Sequence, residues 1–300
     1  CGVGCQISIQ VKDGKIKNVD GAPGPANEQR LCVKGRFGFD YIHHPDRITR
    51  PLIRRAGAPP KGLNVDLNKL SDHFREASWE EALDVAAQGL TRLNTEFGGK
   101  SVAGFGSAKC TNEEAYIFQK LIREGFKHNN VDHCTRLCHA SSVAALMENV
   151  GSAAVTATFN EIRNADVAII IGANPTENHP VAATYFKQFV KRGGKLIVMD
   201  PRGTALKRLS THMLQFKPGT DVAMLNAIMH TIVKEKLYDE QYVQAYTENW
   251  EQQKKHLESF PPEEMQKICG IEKETLKEVA RNFAGGKSGM IFWGMGVSQH

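Results

Sequence analysis

Between Asp166 and Asp200 the sequence holds a pattern that few folds can absorb. Asp166-Val-Ala-Ile-Ile-Ile-Gly172 is a continuous apolar run closed by glycine, and a loop and a helical stretch to about Arg192 follow it. Gly193-Gly194 ends that stretch, and Lys195-Leu-Ile-Val-Met-Asp200 is a second apolar run. Strands without polar alternation are buried on both faces. Two such strands joined through a helix must run parallel. The segment therefore predicts a βαβ unit and, with it, an α/β protein built on a parallel Rossmann-like sheet. Met224 to Val233 supplies a further helix, and Gly289-Met-Ile-Phe-Trp-Gly294 a further strand.

The rest of the chain divides by its punctuation. Ile7, Ile9 and Val11 alternate up to Asp13-Gly14, and Ile16 and Val19 follow it; Asp-Gly between alternating runs signals a hairpin. An irregular basic stretch ends at Arg55, and Ala58-Pro-Pro-Lys-Gly62 reads as a boundary. Ser78-Trp-Glu-Glu81 and Thr111-Asn-Glu-Glu114 are capping boxes. The first opens a helix with an apolar stripe at Leu83, Ala86, Ala87, Leu90 and Leu93, the second a helix to about Phe126, and Val102–Gly106 between them reads as a buried strand. The expected organisation is a small β-rich module over 1–55, α/β structure over 56–132, and the parallel-sheet domain over 133–300. With 41% hydrophobic and 24% charged residues the chain is globular rather than disordered. A net charge of +5 without a dense basic run gives no nucleic-acid stripe. The longest apolar run, Val167–Ile171, is far short of the roughly 20 residues of a membrane helix.

Seven cysteines, an uneven number in a chain this long, argue against a disulfide framework and for thiolates with chemical roles. Cys1 and Cys5, with three residues between them, and Cys32, after 26 intervening residues, group in the first module. Three thiolates on a loop-rich scaffold suit an iron–sulfur cluster or zinc, and three buried inert cysteines are the bland alternative. A fourth ligand would come from His43, His44 or a cysteine preceding Cys1.

A second constellation is His133-Cys134-Thr-Arg136-Leu-Cys138-His139-Ala-Ser-Ser142. Cys134 and Cys138 with flanking histidines could form a zinc site. One thiolate could instead ligate a soft redox metal, with His139 beside it as proton acceptor. A helix start whose Cys and His merely pack remains a third reading. Cys110 and Cys269 carry no partner pattern and read as buried spectators.

There is no G-x-G-x-x-G and no complete P-loop. Yet Gly172-Ala-Asn174-Pro-Thr-Glu-Asn178-His179 directly follows a buried parallel strand, and Asp200-Pro-Arg202 occupies the same place after the next. Ligands bind at the carboxyl ends of such strands, where helix N-termini meet phosphates. Asp200 could accept from a ribose or a base and Arg202 could meet a phosphate, although these residue types are also ordinary in loops.

Cys1-Gly-Val-Gly-Cys5 with Cys32-Val-Lys34-Gly-Arg36 resembles the cluster module of the molybdenum/tungsten bis-pyranopterin guanine dinucleotide oxidoreductases. Asn129 to Val143, centred on Cys138-His139, resembles the metal-ligand segment of the formate dehydrogenases in that family. Four stretches resemble its pterin-nucleotide loops: the two strand-end loops, Lys217-Pro-Gly219-Thr-Asp221, and Trp293-Gly-Met295-Gly-Val-Ser-Gln299. Gly106-Ser-Ala-Lys109 also matches, with Lys109 facing the pterin in relatives. The resemblance implies the formate dehydrogenase/DMSO reductase-like fold, incomplete at its third domain: a [4Fe–4S] module over 1–55, part of domain II over 56–132, and the pterin guanine dinucleotide domain III over 133–300. It implies a [4Fe–4S] cluster on Cys1, Cys5, Cys32 and a cysteine three positions before Cys1, and a bis-molybdopterin guanine dinucleotide with molybdenum or tungsten on Cys138. Lys34 would lie on the electron path, and His139, with Arg136 near an anionic substrate or cofactor, would serve catalysis. Gly172, Asn174, Asn178, His179, Asp200, Arg202, Gly219, Asp221, Met295 and Gln299, with Lys34 and Lys109, would bind cofactor.

The implied activity is formate oxidation to CO2 in a cytoplasmic catalytic subunit whose electron-transfer partners include NAD-reducing flavin and iron–sulfur subunits, without nucleic acid or membrane insertion. Full members run several hundred residues further, and a substrate-orienting arginine is expected past His300. The rivals are another bis-pterin enzyme, such as a nitrate reductase, and a non-catalytic electron carrier like the large iron–sulfur subunit of NADH dehydrogenase. Cys138-His139 speaks against the first. Cys138, Asn174, Asp200 and Gln299 together speak against the second.

Overall fold

The computed structural model describes residues 1–62, 66 and 69–299. Contacts group these into two compact units, one made of Cys1–Phe39 with Cys138–His300 and the other of Asp40–Leu137. The chain opens with an antiparallel hairpin of β1 (Ile7–Lys12) and β2 (Lys15–Gly21). Asp13 and Gly14 at its tip both take positive φ, as a type I′ turn requires. A short helix, α1 (Val33–Phe37), follows with Cys32 at its N-cap.

The Asp40–Leu137 unit is thinly cored. It contains the two-stranded ladder of β3 (Leu52–Arg54) and β4 (Phe74–Glu76), the short α2 (Leu70–His73), and α3 (Trp79–Phe97). Ser78 accepts from the Glu81 amide as expected, but the Glu81 carboxylate turns to the Arg75 guanidinium instead of closing the box. The α3 stripe is not buried. Leu83 is 62% exposed and Leu90 and Leu93 are 36% exposed, because this unit's core consists of Val102, Ile122 and Phe126 with Val131 beside them. The strand expected over 102–106 shrinks to β5 (Gly104–Phe105), paired parallel with β6 (Val131–Asp132). The Thr111 capping box is complete at the start of α4 (Asn112–Lys120), which runs on as a π-turn to Gly125. The chain returns to the first unit within the single turn α5 (Thr135–Cys138), and α6 (Ala140–Val150) follows.

The first unit is organised by a parallel sheet. β7 (Val167–Ile171) leads through α7 (Pro175–Asn178) and α8 (Pro180–Lys191) to β8 (Lys195–Met199), then to β9 (His212–Leu214). Four helices follow: α9 (Asp221–Lys234), α10 (Glu240–Tyr246), α11 (Trp250–Leu257) and α12 (Pro262–Cys269). The last segment comprises α13 (Lys273–Ala284), β10 (Gly289–Trp293) and the turn α14 (Met295–Ser298). The sheet order is β10-β7-β8-β9, all parallel.

Each central strand sends alternate residues to two cores, which explains the uninterrupted apolar runs. Val167, Ile169, Ile171, Ile197 and Met199 face α9, α12 and α13, where Met224, Met265 and Leu276 are buried. Ala168, Ile170, Leu196 and Val198 face α8, where Tyr185, Phe186 and Phe189 are at most 2% exposed. Val3, Cys5 and Cys32 pack on this second core, which anchors the N-terminal module to the sheet.

Candidate cofactor site at the sheet's switch point

The connections from β7 run one way through β8 to β9, while β10 lies on the other side of β7. Chain direction across the sheet thus reverses between β7 and β10, and a crevice opens there beyond the strands' carboxyl ends. The loops after these two strands meet through glycine. Gly172, at φ +58°, accepts at its carbonyl from the Gly296 amide at 3.0 Å, and the Gly294 amide donates to Ile171 O at 3.0 Å. A Cβ on Gly172 would meet the Gly296 carbonyl carbon at 2.7 Å, so side chains are barred at this crossing.

A cavity of about 510 Å³ lies on this crossing. The β7 loop lines it with Gly172, Asn174, Asn178 and His179, and the β8 loop with Asp200 and Arg202. Gly219 and Asp221 contribute the start of α9, and Met295 the start of α14. Two of these polar groups are nearly fully buried. Asn174 is 7% exposed and accepts from Thr176 Oγ1 at 2.6 Å; Asp200 is 5% exposed and accepts from the Arg202 amide at 2.8 Å. Burial, followed by the positive charges of the amino terminus and Lys34, holds the His179 imidazole below its ordinary pKa. Lys34 reaches the same wall, donating from Nζ to the Glu177 carbonyl at 2.8 Å.

Cys138 ends α5, and its Sγ lies 3.9 Å from the Sδ of cavity-lining Met295. His139 is exposed and caps α6. Ser141 and Ser142, in the first turn of α6, bond to Ser298, and Trp293 Nε1 donates to Ser142 Oγ at 3.0 Å. Ser142 lies in the stretch that resembles the metal-ligand segment, and Trp293 and Ser298 in one that resembles a pterin loop, but their joining is not legible in the sequence, since single polar residues some 150 positions apart give no periodic signal. Gln299 is exposed just past α14 and is not among the cavity's lining residues.

In the N-terminal module Cys5 and Cys32 are half-buried neighbours and Cys1 is exposed. Burial first, and Cys32 second, raise the Cys5 thiol above its usual pKa. Among the described residues no three His, Cys, Asp or Glu side chains converge tightly enough for a single metal ion, whether around Cys5 or around Cys134 and Cys138. A cluster with several metal atoms spreads its thiolates more widely than one tetrahedral ion with bonds of about 2.3 Å. Lys109, Arg136, His43, His44, Cys110 and Cys134 belong to the other unit, where Lys109, Arg136 and Cys134 are exposed. Cys269 is buried as expected. Cys110 is not: it lies in the exposed loop before α4, its thiol donating to Ser107 O at 2.9 Å. That unit holds a cavity of about 520 Å³ lined by Phe105, Phe118 and His133, without the strand-end loops of the first.

The sequence pattern of the molybdopterin oxidoreductase family fits residues 47–300, and that of the molybdopterin oxidoreductase Fe4S4 domain fits residues 1–44. The chain belongs to the molybdopterin oxidoreductase family. A molybdopterin and a 4Fe–4S cluster are the corresponding cofactors. The residues present fit both groups: free thiols in the first module, and, at the switch point, a glycine-crossed cavity with a buried carboxylate, a buried amide and nearby cations. This molybdopterin oxidoreductase chain is 38% identical to the F420-dependent formate dehydrogenase subunit alpha of Methanocaldococcus jannaschii, covering all of this chain and 42% of that protein. It is 36% identical to formate dehydrogenase H of Escherichia coli, covering all of this chain and 41% of that protein. Its fold matches acetylene hydratase from Pelobacter acetylenicus with a TM-score of 0.81 at 23% identity, over 99% of this chain and 40% of that one. The chain thus spans about two fifths of the length of these relatives.

Proposed function

We propose that this chain carries part of a formate dehydrogenase catalytic subunit, oxidising formate to CO2, a proton and two electrons. One observation carries the reading: Cys138, followed directly by His139, meets Met295 in the wall of the switch-point cavity. In this reading Cys138 is the protein ligand of molybdenum or tungsten. When bound, the pterin-held metal supplies two-electron redox chemistry through a soft sulfur donor.

The chain's own residues do the rest. Asp200 accepts from the nucleotide's donors, Arg202 and the glycine amides meet its phosphates, and Asn174, Asn178, Gly219, Asp221 and Gln299 complete its binding. His139, directly after the proposed ligand, holds the released proton. Arg136 and Lys109 neutralise anionic substrate and cofactor. Lys34, bonded to the cavity loop, bridges towards the cluster on Cys1, Cys5 and Cys32.

The division into a cluster module (1–55), part of domain II (56–132) and a pterin-nucleotide domain (133–300) belongs to the same reading. Electrons leave to separate subunits, including NAD-reducing flavin and iron–sulfur proteins. Free thiols at every described cysteine favour a reducing compartment, the cytoplasm, and no described helix is long and apolar enough to cross a membrane. Formate-dependent dye reduction and nitrate-dependent dye oxidation, measured on the cofactor-loaded full-length protein, test the assignment. Turnover with formate alone is expected; turnover with nitrate alone overturns it.

A further inference from the structure

The segment carrying Cys138 has no regular structure of its own on which to hold a fixed position. α5 is a single turn, and His139 sits between it and α6 with a φ of −143°. What fixes it lies downstream, where the first turn of α6 is fastened to the end of β10 by a small polar cluster. Trp293 Nε1 can only donate, and it donates to Ser142 Oγ at 3.0 Å. Ser142 Oγ is 2.5 Å from Ser298 Oγ, and the Ser141 hydroxyl donates to the Ser298 carbonyl. Ser298 is 8% exposed, so breaking this cluster leaves a buried hydroxyl without its partner.

The other side of the cluster is the cofactor cavity. Trp293 ends β10, and Gly294, Met295 and Gly296 line the cavity before Ser298 closes α14. Ser142 is therefore tied on one side to the helix that begins just after Cys138-His139, and on the other to the corner whose Met295 touches Cys138 Sγ. Movement at this joint would shift the thiol relative to the cavity. None of the residues of α6 is buried, so apolar packing does little to hold it and the polar cluster is left to fix its first turn.

We propose that Ser142, together with Ser298 and Trp293, is a positioning residue for Cys138, setting where the thiolate meets the metal. The proposal rests on the reading of Cys138 as metal ligand. Groups that orient a metal ligand without touching the metal typically govern affinity or activity by about 10–100-fold.

The test compares cofactor-loaded holoenzyme carrying Ser142→Ala, Ser142→Thr or Trp293→Phe with the unsubstituted protein and with Cys138→Ala. The readouts are metal content, the electron paramagnetic resonance signature of the bound metal, and the kcat-against-KM split. Ser142→Ala and Trp293→Phe are expected to shift the metal signature and lower kcat about tenfold or more, with KM little changed. Ser142→Thr, which keeps the hydroxyl, is expected to restore both. Loss of cofactor loading in Ser142→Ala that Ser142→Thr rescues carries the same meaning, and loss in both overturns the proposal. An unchanged signature in Ser142→Ala and Trp293→Phe, where Cys138→Ala changes it, overturns the positioning role and leaves the ligand reading intact. If Cys138→Ala itself leaves the signature unchanged, both fall. If the signatures respond but formate is not oxidised, the positioning role stands and the formate assignment fails.

Discussion

The Lys34 ammonium donates a hydrogen bond from Nζ to the main-chain carbonyl of Glu177 at 2.8 Å, across 143 residues of sequence. The bond joins α1, whose N-cap is Cys32, to the segment that presents Asn178 and His179 to the cavity. Replacing Lys34 with Met keeps the aliphatic stem and removes the donor and the charge. Iron and pterin contents should stay near those of the unsubstituted protein, while formate-driven bleaching of the cluster's visible absorbance slows in stopped-flow mixing.

Gly172 tolerates no side chain. Its positive φ and the 2.7 Å approach of a Cβ to the Gly296 backbone both oppose alanine. Gly172→Ala should destabilise the protein by about 1–3 kcal/mol, the usual cost of backbone strain at such a position, and should lower the pterin content. Denaturant midpoints and released-pterin fluorescence check the two effects separately.

Asp200 is a buried carboxylate whose Oδ1 holds the Arg202 amide and lies 3.8 Å from the Arg202 guanidinium. Asp200→Ala leaves that amide unbonded and removes an acceptor from the cavity wall. Stability should fall by about 1–3 kcal/mol, and the nucleotide released on denaturing the holoenzyme should fall well below that of the unsubstituted protein, with the pterin falling in step. Normal nucleotide content would remove Asp200 from the binding set.

His179 titrates below its ordinary value because burial and neighbouring positive charge disfavour the imidazolium. The unfolded chain therefore binds a proton at higher pH than the folded one does. The resulting stability is fully present above the unfolded pKa, roughly 6.5, and is lost as pH falls through the folded value. His179→Gln should flatten the acid side of the stability–pH curve between about pH 7 and 5. Denaturant midpoints across that range give the comparison.

His139, exposed at the start of α6, is assigned the proton. His139→Ala should lower kcat by about 10²–10⁴-fold, the usual contribution of a positioned acid–base group. Metal content should not change.

Much of the framework was legible because it follows from short-range rules. Asp13-Gly14 specified its turn, the apolar runs around Val167 and Leu196 specified parallel strands, and parallel strands dictated where the loops of Gly172 and Asp200 had to converge. The misses share a cause in contacts distant in sequence. Glu81 left its capping box because Arg75, brought close by β4, offers a charged partner. The Leu83 stripe forms its helix at the right period, but Leu83 stays 62% exposed among the described residues. Ser142, Ser298 and Trp293 are single polar residues whose roles arise only when β10 and α6 meet.

The central claim is that Cys138 is the residue through which this chain holds its redox metal for formate oxidation. Formate-dependent dye reduction by the cofactor-loaded full-length protein, compared with its Cys138→Ala variant, tests it most directly. Turnover is expected in the former, and in the latter a loss exceeding the roughly 10–100-fold effect of changing a residue that only orients a metal ligand. A Cys138→Ala protein that oxidises formate at the unsubstituted rate would contradict it.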